Sequence, residues 1–205
     1  RTARSESDFN GIRPLLSRVL ELVKETAELK SEVLGCSPYE ALMDKYTPGL
    51  RLKIIDPIFS DIEQFLPDFL QAVLDKQSIT QMTTSPKGPF FESQQRELGQ
   101  LLMQKLGFDF NQGRLDTSFH PFSGGSPDDQ RITTRYNKED FMPGLMGILH
   151  ETGHALYEKN LPKKWRHQPV GGALGMDIHE SQSLLIEMQA CRTREFLTYA
   201  VPLMK

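Results

Sequence analysis

The stretch His150-Glu151-Thr152-Gly153-His154 constrains this chain more than any other. It lies inside a run of helical character from about Lys138 to Asn160. An α-helix turns about 100° per residue, so histidines four apart stand within ~40° of each other on one face. Imidazoles stacked in this way can both reach a single Zn²⁺ at ~2.0–2.1 Å. Glu151, ~100° further round, falls beside such an ion rather than on it, as suits a carboxylate that takes a proton from the attacking water. The competing reading is a surface helix that happens to carry two histidines.

A third ligand is needed, and His179-Glu180-Ser181-Gln182 opens the next helical run after a loop. Glu180 lies 26 residues beyond His154, room for one helix to end and a second to pass beside it. A set of His150, His154 and Glu180 leaves the fourth tetrahedral position for water, as catalytic zinc requires. Glu187, seven residues past Glu180, shares its helix face, where it either accepts a hydrogen bond from a ligand histidine or is simply solvated.

The 205 residues suffice for a sizeable core, with one domain the expectation over 1–205. A net charge of −3 gives no footprint for nucleic acid or an anionic membrane. No apolar run approaches the ~20 residues of a spanning helix. Two cysteines, Cys36 and Cys191, lie far apart without ligand spacing and read as reduced thiols, which points to a cytoplasmic location. The chain opens Arg1-Thr2-Ala3-Arg4, so targeting is not legible.

Residues 1–107 read as helical. Ile12, Leu15, Leu16, Val19, Val23 and Ala27 form one apolar stripe from Asp8 to Leu34, expected to pack as core. Ser37-Pro38-Tyr39-Glu40 reads as a capping box starting a short helix. A further helix is expected from Asp56-Pro57, kinked or split at Pro67, with Phe59, Ile62, Phe65, Leu66, Phe69, Leu70 and Val73 as core. Thr80 to Pro89 reads as loop, and Glu92 to Leu106 as helix closed by Gly107.

Over 108–136 the helical period disappears. Thr117 to Phe122 and Arg131 to Tyr136 read as strands of a small antiparallel sheet, flanking a turn-rich Ser123 to Asp129. This segment is expected to wall a cleft, with His120 and Arg131, like His179, as candidate substrate contacts. Arg131 is equally suited to an ion pair with Asp129. From 137 to 205 the metal-binding helices follow. The first is capped near Asn137 and central by its apolar residues on several sides; the last carries Leu184, Leu185, Met188 and Cys191 to Tyr199.

His120-Pro121-Phe122, the pattern Asp129-x-Arg131-x-Thr133, the HExxH of His150 to His154, and His179 to Gln182 occur in that order. Together with Ser7-Asp8-Phe9 and Thr134-Arg135-Tyr136 they resemble the carboxypeptidase Taq family of metallocarboxypeptidases over most of the chain. The resemblance implies a mainly α, gluzincin-type helical fold with a small sheet beside the HExxH helix, and one zinc ion, with cobalt as an alternative. It also implies a homodimer and removal of C-terminal residues from peptide substrates. The family's Ser-Arg-Leu-Trp-Glu-Asn type run after the second glutamate motif is replaced here by Ser183 to Met188, which keeps Glu187. The family's further downstream motifs do not occur before Lys205, so the chain reads as an internal part of a longer catalytic region, with little turnover expected of it alone. Two other readings stand beside it: a catalytically silent metal-binding fragment, and an endo-acting gluzincin oligopeptidase.

Overall fold

The computed structural model describes residues 2–80 and 86–204. The chain divides into two compact units, residues 1–82 and 83–205. Among its described residues the first unit has four helices and no strand. A short α1 (Thr2–Ser5) precedes α2 (Phe9–Leu34), whose N-cap Asp8 accepts from the Gly11 N–H at 2.9 Å. The capping box of α3 (Pro38–Met43) forms: the Glu40 N–H donates to Ser37 Oγ, and Ser37 N–H donates to Glu40 Oε2. Glu40 Oε1 also accepts from Leu52 N–H at 3.0 Å, tying the start of α4 (Leu52–Ser78) back to α3.

Two expectations are corrected in this unit. Helix α4 starts at Leu52, not near Asp56, and runs unbroken past both Pro57 and Pro67. Each proline removes one i→i−4 hydrogen bond, and the helix continues around the loss. The apolar stripes are not core either. Ile12, Leu15, Leu16, Val19 and Val23 are exposed, as are Phe59, Ile62, Phe65, Leu66, Phe69 and Leu70, with Val73 half-buried. Among the described residues of this unit only Ala27 and Ala41 are buried, where α3 packs on α2. Periodicity marks a face suited to being covered; it does not supply the cover.

The second unit carries the packed core. The loop expected over Thr80–Pro89 lies partly outside the described residues. Helix α5 (Glu92–Leu106) ends at Gly107, as its sequence indicates. Three strands follow: β1 (Gly113–Thr117), β2 (Phe122–Ser126) and β3 (Asp129–Thr134). Their order is β1-β3-β2, with β2 antiparallel to β3 but β1 parallel to it, so the sheet is mixed rather than wholly antiparallel. The glycine-rich stretch is itself strand, and the reversal is confined to Pro127-Asp128. Gly125 permits this, since it has φ 105° and a Cβ there would meet Asp129 O.

Helix α6 (Met142–Asn160) lies between two apolar clusters. Ile148 and Ala155 join Met103 of α5, Phe108 just past its end, and Leu115 and Ile132 of the sheet. Leu145 and Leu149 join Leu102, Phe141 and Cys191 on another side. The helix begins at Met142 rather than Lys138, with Pro143 in its first turn, where a missing N–H costs little. The terminal run is likewise not one helix. It comprises α7 (Met176–Leu184), a π-helical turn over Leu185–Ala190, and α8 (Arg194–Ala200) capped afresh by Thr193.

Both cysteines are free thiols, Cys36 half-buried and Cys191 buried. Burial, with Glu187 nearby, pushes the Cys191 thiol up to about 11. At pH 8 its thiolate fraction is then about 10⁻³, and the thiolate is the nucleophile. Titration with a chromogenic disulfide at pH 8 is expected to report only Cys36 promptly in the folded protein and both thiols in denaturant. Prompt reaction of both in the folded state would contradict the packing of Cys191.

Candidate metal centre

Helix α6 presents His150, His154 and Glu158 at successive spacings of four, one stripe facing α7. Helix α7 brings Glu180 across to meet it. Glu180 Oε1 lies 3.6 Å from His150 Nε2, and Oε2 lies 3.3 Å from His154 Nε2. One ligating atom from each of the three residues lies within 4.8 Å of the other two.

These separations decide whether an ion fits. Two donors at ~2.0–2.1 Å from one tetrahedral zinc are ~3.3–3.4 Å apart. The observed nitrogen–oxygen distances, 3.6 and 3.3 Å to the two different oxygens of Glu180, lie near that ligand–ligand edge, and the donor set, two imidazoles and a carboxylate, is one that zinc takes. The residues therefore fit a metal. Glu180 remains 43 % exposed while His154 is 11 % exposed at the side chain, so the site opens to solvent on the carboxylate side. Burial holds the His154 ring below its ordinary pKa, aided by His179 and His150, which favours the neutral form a ligand must have.

The other ring nitrogens are engaged as well. His150 Nδ1 lies 3.0 Å from Glu187 Oε2, and Glu187 Oε1 accepts from Arg192 at 2.6 Å. The π-helical turn sets Glu187 in that place. His154 Nδ1 meets His179 Nδ1 at 2.6 Å, and His179 Nε2 meets Glu158 Oε1 at 2.9 Å. His179 thus stands behind a histidine of the triad with both ring nitrogens occupied, rather than at a cleft surface.

Glu151 is buried next to the triad. Burial raises its carboxyl above the usual range, and His150 and the nearby Ser123 backbone N–H of β2 oppose this. His120, on the loop between β1 and β2, is within electrostatic reach of Glu151, its Nδ1 2.7 Å from Pro121 O. Arg131 is not brought to the triad. It alternates with Ile132, which packs towards α6, and its Nε and Nη2 both donate to Asp129 Oδ2 at 3.0 and 2.7 Å. Beside His150 lies a cavity of about 540 Å³, walled by Met142, Met146, Glu187, Cys191 and Leu197.

Two residues at the site escaped the sequence reading. One is Gly153, at the crossing of α6 and α7. A Cβ there would stand 2.6 Å from Ser183 Cα and 2.7 Å from Gln182 O. A glycine inside a helix costs about 1 kcal/mol relative to alanine, which was the available signal that it serves packing. The other is Glu158, four residues past His154, whose spacing was legible but whose partner was not.

Replacing Gly153 by alanine forces α7 away from α6. Gly153→Ala is expected to lower stability by about 1–3 kcal/mol, a typical overpacking cost, and to weaken metal binding by moving Glu180. Denaturant unfolding and zinc titration check both, and unchanged values would contradict the close crossing.

Comparisons with known proteins accord with this geometry. The family model described as Carboxypeptidase Taq (M32) metallopeptidase matches residues 1–205. Thermostable carboxypeptidase 1 of Thermus thermophilus is 38% identical over 193 residues, 88% of this chain and 37% of that protein. Carboxypeptidase 1 of Bacillus subtilis is 33% identical over 197 residues, 96% of this chain and 39% of that protein. Among solved structures, Trypanosoma cruzi metallocarboxypeptidase 1 superposes with a TM-score of 0.87 at 43% identity, covering 98% of this chain and 40% of that one. Pyrococcus furiosus carboxypeptidase gives 0.82 at 32%, covering 99% and 41%. The chain therefore spans about two fifths of the length of these relatives. With its whole length matched by the family model, the chain belongs to the carboxypeptidase Taq metallopeptidase family.

Proposed function

We propose that this chain supplies the metal centre and the general base of a zinc-dependent carboxypeptidase that hydrolyses C-terminal residues from peptides. One observation carries the reading. His150 Nε2 and His154 Nε2 lie 3.6 and 3.3 Å from the two oxygens of Glu180, all three residues within 4.8 Å of one another by one ligating atom each, beside the buried carboxylate of Glu151. The carboxypeptidase names of the relatives select the peptide class of substrate.

His150, His154 and Glu180 would hold the ion. When bound, zinc would supply Lewis-acid polarisation of the scissile carbonyl and a lowered pKa for water, towards ~7. Glu151 takes the proton of the attacking water and hands it to the departing amine. Its raised pKa helps in the second half of that task, because the protonated carboxyl is easier to hold until the amine leaves. Strand β2 is an edge of the sheet, and its outer backbone groups suit pairing with an extended peptide. His120 is the substrate-contact candidate that this arrangement retains. Arg131 and His179 are already held by partners in the protein.

Zinc analysis of the purified protein is expected to give one ion per chain, lost in His154→Ala. In a protein of the relatives' full length, Glu151→Gln is expected to keep that ion while turnover falls by about 10²–10⁴. Activity of that variant within about tenfold of its full-length parent would remove the general-base role. The same full-length protein should cleave a peptide with a free C-terminal carboxylate and spare its C-terminal amide; equal cleavage of both would indicate an endo-acting peptidase instead.

A further inference from the structure

Resting on the carboxypeptidase reading above, we propose that the loop between α6 and α7 carries a subsite for acidic side chains of the peptide substrate. Lys163 and Lys164 are the residues that select them, three to five positions before the bond cleaved.

The loop is charged against the trend of the chain. Residues 161–175 hold Lys163, Lys164, Arg166 and His167 and no Asp or Glu, in a protein whose net charge is −3. Its backbone is held by its own hydrogen bonds. Trp165 N–H donates to Pro162 O at 2.9 Å, Gln168 N–H to Trp165 O at 2.8 Å, and Gly171 N–H to Gln168 O at 2.9 Å. Gly171 is buried against Trp165, with no room there for a Cβ. The cations therefore stand on an ordered frame.

One of them is used within the protein. Arg166, largely buried, pairs with Asp128 in the turn between β2 and β3. Lys163, Lys164 and His167 are exposed, and among the described residues none of the three forms an ion pair. Lys164 Nζ stands 4.9 Å from the Trp165 ring centroid, and that ring is itself open to solvent.

The Arg166–Asp128 pair fixes this charge at one end of β2. Near the other end, the Ser123 N–H lies beside Glu151, so the reacting bond belongs at that level of the strand. Gly124 and Gly125 follow without side chains, and the strand is exposed from there to Ser126, which suits the approach of a second backbone. Three steps from Ser123 to Ser126 carry an extended peptide ~10 Å from the bond. Asp128 is two residues further on.

The two ends of β2 differ in a way that sets the direction of the peptide. Pro121, just before the strand, lies against Gly147, which walls the cavity beside His150. That cavity offers a place for the one residue released. The open edge runs the other way, and a carboxypeptidase needs length only before the bond. The upstream part of the peptide thus approaches the loop, where lysine amines on flexible four-carbon stems reach its carboxylates. A basic loop bearing a tryptophan also suits an anionic lipid surface, but its tie to the strand beside Glu151 favours the peptide.

The test uses a protein of the relatives' full length and two free-carboxylate peptides that differ only in Glu or Gln at positions three to five before the bond. At low ionic strength the Glu peptide is expected to show about 3–20-fold higher kcat/KM, expressed in KM because the contact is remote from the chemistry. At about 0.5 M salt the preference should shrink to about twofold or less, since exposed charges are screened. Lys163→Glu combined with Lys164→Glu is expected to reverse the preference. The ratio is read within each protein, so altered folding or metal content cancels. Glu placed instead directly before the bond should bring no preference. A parent that cleaves both peptides alike, or a ratio unmoved in the double variant, would overturn the subsite and leave the carboxypeptidase reading standing. A preference indifferent to position would overturn it too, reporting only the field of the whole molecule. Sedimentation with phosphatidylserine-containing vesicles, lost in the double variant while both peptides are cleaved alike, would assign the lysines to a lipid surface instead. A full-length parent that cleaves neither peptide refutes the carboxypeptidase reading and the subsite with it.

Discussion

The candidate site depends first on how closely two helices can approach. At the crossing of α6 and α7, the missing side chain of Gly153 admits the backbone of Gln182 and Ser183 to within contact distance. Ser183 is fully buried there and turns its hydroxyl back onto Glu180 O at 2.7 Å, so it spends its polarity locally and adds little bulk. A close crossing converts two sequence-distant motifs into one set of donors, because Glu180 lies one turn from the contact and both histidines lie on the facing stripe. Packing in the interior leaves few voids and tolerates little displacement, so the precision of the donor set is inherited from the crossing.

Around this contact the polar groups are arranged in depth. Each imidazole has one nitrogen turned to the site and the other turned into the protein, and the inward nitrogens end on carboxylates, Glu187 and Glu158, drawn from different elements. Such outer partners fix ring orientation, and a carboxylate behind a ligand histidine also raises its donor strength. Glu151 is treated differently. It is buried, and that burial raises its carboxyl while His150 and a backbone N–H of β2 pull the other way. The sheet, small as it is, therefore bears directly on the chemistry of the central helix.

How far the sequence went is clearest from individual residues. His150, His154 and Glu180 were legible because helical period and motif spacing are local properties, and so was the capping box at Ser37 and Glu40. The parallel pairing of β1 with β3 was not, since it depends on which strand crosses back and not on alternation. The apolar faces of α2 and α4 were legible as faces but misread as core, because a stripe carries no information about what lies on it. For Arg131 the sequence offered either a substrate contact or an ion pair with Asp129, two residues away on the same strand, and the ion pair is the one that forms. His179 was assigned towards the cleft from its motif, yet its partner Glu158 lies on a different helix, a pairing that no local pattern encodes.

The π-helical turn at Leu185–Ala190 has a consequence for the length of this segment. A π turn amounts to one residue more than an α-helix would use over the same rise. Removing a single residue just before Glu187 would let the ordinary ladder close, and it would rotate Glu187 by about 100° away from His150. Every side chain of the site would still be present in the chain, yet one histidine would have lost its support. Residue count in this turn is therefore as much a determinant of the site as residue identity, and two chains with the same motifs but a one-residue gap here would not share the same centre.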